Sequence, residues 1–396
     1  MVLKKVNEFA EFLNEGYLLF KDSSMIFAAN ILGSLVLFVA NILLAKQFNP
    51  DAFGTFKTVV NFALLVPSLI ELGAGITLTK YLAEFSKTRP ELQNHIVSFF
   101  IRLRIVCFLL SMAILLLMSG FFSNLFFKDA SYQILLVAGV FIVGASFFDI
   151  YRSIITGFQK FKILAWAEFL QLALIGVFTF VFAYFGGLFW AIIGWGLGIL
   201  IGMLPAVLAT RHELKKHKTQ SFDIRPIFWS YSIPMFLMII PNFLALAIIP
   251  ILSLFYSQTI VGYYGFAMIF YNGIILFPNA LYQVLLPQMS QMHGRKEHDS
   301  AKQILRKSME VYAAIAVVGI VAVLLFSEPL IQLLAPKYLP GLLVFQSINI
   351  LCFLLGFFRI LQSYYSAVNK IKEVALVITL QTILIFVVSI AVVSWI

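Results

Sequence analysis

Long apolar runs separated by short polar breaks dominate this chain. The stretch 30–84 shows the unit: an apolar run, a break holding Asn49-Pro50-Asp51 and Phe53-Gly54, then a second apolar run. Each run is about twenty residues or longer, which is what a helix needs to cross roughly 30 Å of hydrocarbon. The pair predicts a helical hairpin through a membrane, with Pro50 and Gly54 as the breakers at its tip. Followed to the end, the pattern predicts about eleven spans, at roughly 24–46, 56–80, 96–120, 132–157, 163–185, 187–209, 229–256, 260–288, 308–327, 340–367 and 373–395. Segments of about ten residues with alternating polarity, the mark of a membrane β-barrel, do not occur. The expected fold class is an all-α polytopic membrane protein.

The hairpin has an expected counterpart later in the chain. After Tyr231–Tyr256 the sequence reads Val261-Gly262-Tyr263-Tyr264 and enters another apolar run, and equating Gly54 with Gly262 brings the two into register. This register places a counterpart of span five near 371–394, where a span is found. A counterpart of span six would start near 395, where the chain stops. The expected organisation is an amphipathic N-terminal helix (1–22), an N-terminal lobe of six spans (23–210), a basic linker (211–226) and a C-terminal lobe of five (227–396). These are two six-helix-type lobes, the second one helix short, related by an axis along the membrane normal.

Charge changes the picture in one way, by fixing orientation. Of the 28 Lys and Arg residues, only Lys46, Lys57, Lys128 and Lys337 fall at the ends of spans opposite the N-terminus. The rest gather on the N-terminal side, which puts the N-terminus in the cytoplasm. The net charge of +10 is therefore mostly topology, with anionic lipid contact added, and no nucleic-acid partner is expected. With 61% hydrophobic and 12% charged residues, a soluble domain is excluded. Val6, Phe9, Leu13 and Phe20 share one helical face near the start, and Glu8, Glu11 and Glu15 interrupt any signal-peptide core. Cys107 and Cys352 both lie in apolar runs and read as packing residues, so neither a disulfide nor a metal site is expected.

At several places the residues resemble a known family. LGSLVLFVANILLAKQFNPDAFGTFKTVVNF followed by ELGAGITLTKYLAEF is similar to the opening hairpin of polysaccharide repeat-unit flippases. These are the Wzx-type O-antigen and exopolysaccharide transporters of the multidrug/oligosaccharidyl-lipid/polysaccharide exporter superfamily. Ser153–Lys162 (SIITGFQKFK), Glu328–Gly341 (EPLIQLLAPKYLPG) and Tyr364–Lys372 (YYSAVNKIK) extend the similarity over nearly the whole chain. The resemblance implies a MATE-like arrangement of two lobes around a cavity that opens alternately to each side. It implies a multi-pass protein of the bacterial cytoplasmic (inner) membrane. The implied cargo is an undecaprenyl-pyrophosphate-linked oligosaccharide, with a polysaccharide polymerase and a chain-length regulator as partners.

The task sets the chemistry to look for. A sugar headgroup and a diphosphate must pass through hydrocarbon, so a polar and preferably cationic cavity is needed, and ionisable residues inside spans are the candidates. Arg102, Arg104, Arg152 and Arg359 lie toward inner helix ends and suit phosphate oxygens with their guanidinium forks. Snorkelling to the headgroup layer is the bland reading of each. Glu71, in SLIELGAG, is the deepest acid; proton coupling and a helix–helix hydrogen bond stand level for it. Asp149 precedes Arg152 by three residues, so the two share a helix face and are expected to neutralise each other. Glu168 is expected to counter one of the arginines. Asn30, Asn41 and Asn61, with Asn242, Asn272 and Asn279 in the repeat, are candidate sugar contacts, though helix packing competes for each. Pro234, Pro241 and Pro250 predict a bent or hinged span seven. Lys46 and Lys57 are expected to be solvated at the hairpin tip.

No Walker motif, nucleotide-binding glycine loop, HExxH or Cys/His cluster occurs, so no metal, cofactor or ATP-driven step is expected; an H+ or Na+ gradient and downstream consumption of the product stay open as driving forces. A cation-coupled multidrug exporter or a lipid II flippase of the same superfamily stays open beside the leading reading. An O-antigen polymerase or membrane glycosyltransferase would need a sizeable catalytic loop outside, and the outer loops are short. A non-enzymatic transporter is expected.

Overall fold

The computed structural model describes the backbone of residues 2–127, 132–215 and 220–395. The side chains of residues 1–23, 127–137, 216–219 and 238–242, and of a few single positions, lie outside that description, so the amphipathic face of 1–22 and the side chains of Pro241 and Asn242 are not characterised. Every regular element among the described residues is helical. Among the described residues, eight helical segments are long and apolar enough to cross a membrane, which makes this a multi-pass membrane protein.

The order of elements follows the apolar runs closely. Helix α1 covers Val2–Gln47, so the N-terminal helix and span one are continuous. Helix α2 (Pro50–Leu69) starts where Pro50 predicts, with Asn49 as its cap: the Ala52 N–H donates to Asn49 Oδ1 at 2.9 Å. Next come α3 (Ala74–Thr88), α4 (Gln93–Leu117), α5 (Ser119–Phe127) and α6 (Tyr132–Gly157). Helix α7 (Phe161–Gly202) reverses at Gly187, whose φ of 71° makes the turn, and α8 (Leu204–Leu214) continues its second arm. Backbone of Phe178, Ile175 and Gln171 lies against Gly194, Gly198 and Gly202 respectively, so the two arms are antiparallel. One apolar stretch thus holds both expected spans, 163–185 and 187–209.

Span two departs from expectation. Instead of one helix over 56–80, the chain breaks at Ile70–Gly73, between α2 and α3. Leu72 and Gly73 both take left-handed backbone (φ 49° and 73°), and α3 starts afresh at Ala74. Pro67 sits inside α2 without breaking it. In span seven the prolines do not break the helix either. A one-turn α9 (Arg225–Ile227) leads into a π turn over Phe228–Ser232 and then into α10 (Ile233–Phe255). Pro234 has no N–H for the carbonyl four residues back and its ring crowds that group; widening the preceding turn accommodates both effects.

The chain ends with α11 (Gln258–Ile274), α12 (Leu276–Gly294), α13 (His298–Leu334), a 3-10 turn over Pro336–Gly341, α14 (Leu342–Ala367) and α15 (Ile371–Val393). Two compact units result, and they do not follow chain order. The first comprises Met1–Ala40, Val66–Leu117 and Leu136–Phe236; the second comprises Asn41–Leu65, Met118–Leu135 and Leu237–Ile396.

The first unit is centred on Leu78, Leu82, Ile96, Phe100, Ile150 and Ile154, all fully buried where α3, α4 and α6 meet. The expected linker is partly docked onto this core. Ile224 is buried in it, Phe222 meets Phe85 edge-on at 5.8 Å, and the Gln220 N–H donates to the Glu91 carbonyl at 2.9 Å.

The second unit contains the crossing of α2 and α11. A Cβ on Gly54 would fall on the Gln258 carbonyl, and a Cβ on Gly262 would fall on the Pro50 carbonyl. Each glycine therefore touches the backbone one helical turn before the other, a contact with local two-fold symmetry. The register equating Gly54 with Gly262 is the register in which the helices meet: Thr259 Oγ1 reaches Asp51 Oδ1 at 3.4 Å, and these two also stand 208 residues apart. The caps correspond as well, since Ser257 starts α11 as Asn49 starts α2. Tyr338, from the Pro336–Gly341 turn, packs below this crossing against Phe53 (5.9 Å) and Phe266 (4.7 Å).

Candidate functional site

In the first unit five ionisable residues come together from inside apolar segments. Glu168, about two turns into α7, is 4% exposed, and each of its oxygens has a partner. Arg152 Nε of α6 donates to Oε1 at 2.7 Å, and Asn30 Nδ2 of α1 donates to Oε2 at 2.7 Å. The expected role of Glu168 as a counter-ion thus falls on Arg152. Asp149, expected to neutralise Arg152, forms no ion pair with it among the described residues; it feels the fields of Arg152 and Arg104 instead. A helical i, i+3 spacing put both on one face, but Glu168 offers the guanidinium a direct contact.

Arg104 is buried at 2% exposure. Its Nη1 donates to the Pro67 carbonyl at 3.0 Å, at the C-terminal end of α2 where helix carbonyls are left free. Its Nε has no hydrogen-bond partner. Both Asp149 and Glu71 lie close enough to interact with it electrostatically. Glu71 sits in the break of span two and accepts the Gly75 backbone N–H, so it satisfies part of the free N-terminus of α3. The break is held from behind. Ser232 Oγ, in the π turn, donates to the Leu72 carbonyl at 2.7 Å, and a Cβ on Gly73 would overlap the Ser232 carbonyl. Left-handed backbone and close approach together require glycine at 73. Arg102 is exposed on α4 and joins none of these contacts.

What this cluster can do follows from its burial. Inside an apolar bundle, three carboxyl groups and two guanidinium groups are stable because opposite charges face one another. Arg152 and Asp149 nevertheless keep exposed surface in the middle of helices. Polar surface at that depth suits a charged or hydroxyl-rich ligand, or a proton moving among the acids.

The second unit carries a different set. Arg359 of α14 donates from Nη1 to Gln362 Oε1 at 3.1 Å, Gln362 Nε2 donates to Gln381 Oε1 of α15 at 2.9 Å, and Arg359 Nε is buried without a partner. Lys57 was expected in a solvated loop; it lies two turns inside α2. Its Nζ donates to Asn41 Oδ1 at 2.6 Å and sits 5.1 Å and 5.8 Å from the ring centres of Phe53 and Phe56. The cap at Asn49 was the available signal, because a helix starting at Pro50 cannot leave residue 57 in a loop.

The asparagines divide. Asn30 and Asn41 hold charged partners, while Asn61 donates back to the Lys57 carbonyl at 2.8 Å and so serves its own helix. Asn272 is exposed and Asn279 half-buried. Pro234 is exposed at the start of α10, and Pro250 is buried with its carbonyl accepting Ser253 Oγ. Among the described residues no group of three His, Cys, Asp or Glu could hold a metal.

These features define a multi-pass helical membrane protein with charge held inside the bundle, and solved structures share its fold. A multidrug resistance MATE family transporter of the MOP superfamily, in an inward-facing conformation, matches with a TM-score of 0.70 at 13% identity, covering 91% of this chain and 93% of that one. The lipid II flippase MurJ, in an inward closed conformation, matches with a TM-score of 0.68 at 16% identity, covering 95% and 87%. In sequence, an uncharacterized membrane protein of Methanocaldococcus jannaschii is 22% identical over 371 residues, 89% of this chain and 86% of that protein. The model of the polysaccharide biosynthesis protein family matches residues 19–293. The chain belongs to that family.

Proposed function

We propose that this protein is a flippase that carries an undecaprenyl-pyrophosphate-linked oligosaccharide, an O-antigen or exopolysaccharide repeat unit, across the cytoplasmic membrane by alternating access. The observation that carries the reading is the charged cluster of the first unit. An arginine–glutamate–asparagine chain at Arg152, Glu168 and Asn30, beside Asp149, Arg104 and Glu71, lies at a depth where charge is costly without a task. Family membership supplies the substrate class. In this reading Arg152 and Arg104 of the first unit, and separately Arg359 of the second, are candidate contacts for the diphosphate. Asn41, Asn272 and Asn279 remain candidate sugar contacts, and the 211–226 stretch joins the two lobes along the chain. The N-terminus is cytoplasmic, and a polymerase and chain-length regulator act on the product.

A second reading, export coupled to H+ or Na+, is favoured by the acids Glu71 and Asp149, which share one field with Arg104. One experiment tests the first. In cells deleted for the gene, lipid-linked repeat units should accumulate on the cytoplasmic leaflet, and the wild-type gene should restore their export. Normal export and polymerisation in the deletion would refute the flippase.

A further inference from the structure

The cations of the two units are balanced differently. In the first unit Arg152 is paired with Glu168, and Arg104 lies in the field of Asp149 and Glu71. Among the described residues of the second unit, the two cations that are not exposed, Lys57 and Arg359, have only neutral partners. Arg359 has Gln362, and Lys57 has Asn41 and the faces of two phenylalanines. An ammonium group in such surroundings has no counter-charge, and an anion that visits it supplies one.

We propose that Lys57 is a second residue of this unit, besides Arg359, that receives the diphosphate of the cargo. This rests on the flippase reading above and adds a site to it. The chemistry fits. The ammonium has three donors, of which Asn41 Oδ1 occupies one, leaving two for phosphate oxygens. The rings of Phe53 and Phe56 stabilise the charge while no anion is present.

The position of Nζ is set by packing, because the lysine stem runs across α11. A Cβ at Gly265 would stand 2.8 Å from Lys57 Cγ, so glycine is what lets the stem pass. Lys57 follows the Pro50 end of α2, which faces the outer surface in the proposed orientation. A counter-charge there offsets the cost of carrying an anion through the second half of the membrane.

The test uses purified full-length protein in nanodiscs, with geranylgeranyl diphosphate, geranylgeraniol and inorganic pyrophosphate as probes. The diphosphate should bind more tightly than the alcohol. Lys57→Gln should weaken diphosphate binding about tenfold or more, equivalent to about 1.4 kcal/mol. Lys57→Arg should retain it, and neither should alter geranylgeraniol binding. Inorganic pyrophosphate competing in the wild type but not in Lys57→Gln would locate recognition in the anion itself.

Asn41→Asp provides a variant that keeps the lysine but gives it a permanent counter-ion, and it should weaken the diphosphate as Lys57→Gln does. Unchanged diphosphate binding in Lys57→Gln or Asn41→Asp overturns the proposal, as does a wild type that prefers the alcohol. The leaflet assay on the deletion strain stands apart from this result. Accumulation there with unaltered binding by Lys57→Gln removes the Lys57 site and leaves the flippase, whereas normal export in the deletion removes both.

Discussion

The α2–α11 crossing makes a prediction whose sign is set by two opposed effects. Replacing Gly54 by alanine removes the flexibility that a helical glycine costs, a gain of about 1 kcal/mol in helix propensity. Against this, the new Cβ would fall on the Gln258 carbonyl, where no side-chain rotation relieves the overlap because the obstacle is backbone. Opening the crossing to a clearance of at least 3.0 Å forces the helices apart. That separation strains the hydrogen bond from Thr58 Oγ1 to Gln258 Oε1 (3.1 Å) and the packing of Tyr338 on Phe53. Overpacking of this kind typically costs about 1–3 kcal/mol and propagates to neighbours, so Gly54→Ala should be destabilised on balance. Gly262→Ala should lose a similar amount, since its Cβ meets the Pro50 carbonyl in the same way. The double variant should cost less than the sum, because helices already parted by one methyl group accommodate the other. Gly120→Ala is the control: nothing lies within 4 Å of its Cβ, and only the propensity gain should remain. Thermal unfolding of the purified proteins reads all four. A disulfide engineered between Asp51→Cys and Thr259→Cys, which should form readily in the native crossing and slowly with Gly54→Ala, reads the separation directly. A Gly54→Ala variant as stable as Gly120→Ala, with unchanged cross-linking, would refute the reasoning.

Other expectations rest on other contacts. Arg152→Ala should cost more stability than Glu168→Gln, because it strands a 4%-exposed carboxylate whereas the half-exposed arginine can turn to water; about 1–3 kcal/mol for the stranded group is expected in unfolding experiments. Tyr338→Phe should be neutral or stabilising by about 1 kcal/mol, since the phenol oxygen is buried with no partner while the ring provides the packing. A lower unfolding temperature for Tyr338→Phe would show that the hydroxyl has a partner after all. Arg152→Ala combined with Arg359→Ala should abolish export while membrane insertion persists, as measured by leaflet assay and membrane yield. Gly73→Ala should destabilise more than Ser232→Ala, because left-handed backbone and contact with the Ser232 carbonyl both oppose a side chain there.

What could be read from the sequence divides along a physical line. Span positions follow from hydrophobic length, and length is local; hence α4, α14 and both arms of α7 fall where the apolar runs put them. The register of Gly54 with Gly262 was also legible, because a glycine crossing needs its glycines at matching positions and its caps at matching distances. Breaks and partners were not. The Ile70–Gly73 break depends on Ser232, which is 160 residues away and reaches the Leu72 carbonyl, so no window around Glu71 contains the cause. The string Leu72-Gly73-Ala74-Gly75 was a hint that small residues were needed there, but it reads equally well as a close helix contact.

Charge pairing was legible only in part: that Glu168 counters an arginine could be read, but which arginine could not. Spacing along one helix offered Asp149 to Arg152, and the fold offered Glu168 from another helix, with Asn30 steadying its second oxygen. Lys57 is the sharpest case, since its distance from the hairpin tip suggested water while its neighbours are Asn41, two phenylalanines and the bare face of Gly265. Positional information in a membrane chain is one-dimensional and reports depth well. Which charges are neutralised and which are left for a ligand is decided by contacts across helices, and there the first unit closes its own accounts while the second leaves Lys57 and Arg359 with neutral partners. That asymmetry, more than the number of buried charges, is what the proposed diphosphate contact at Lys57 rests on.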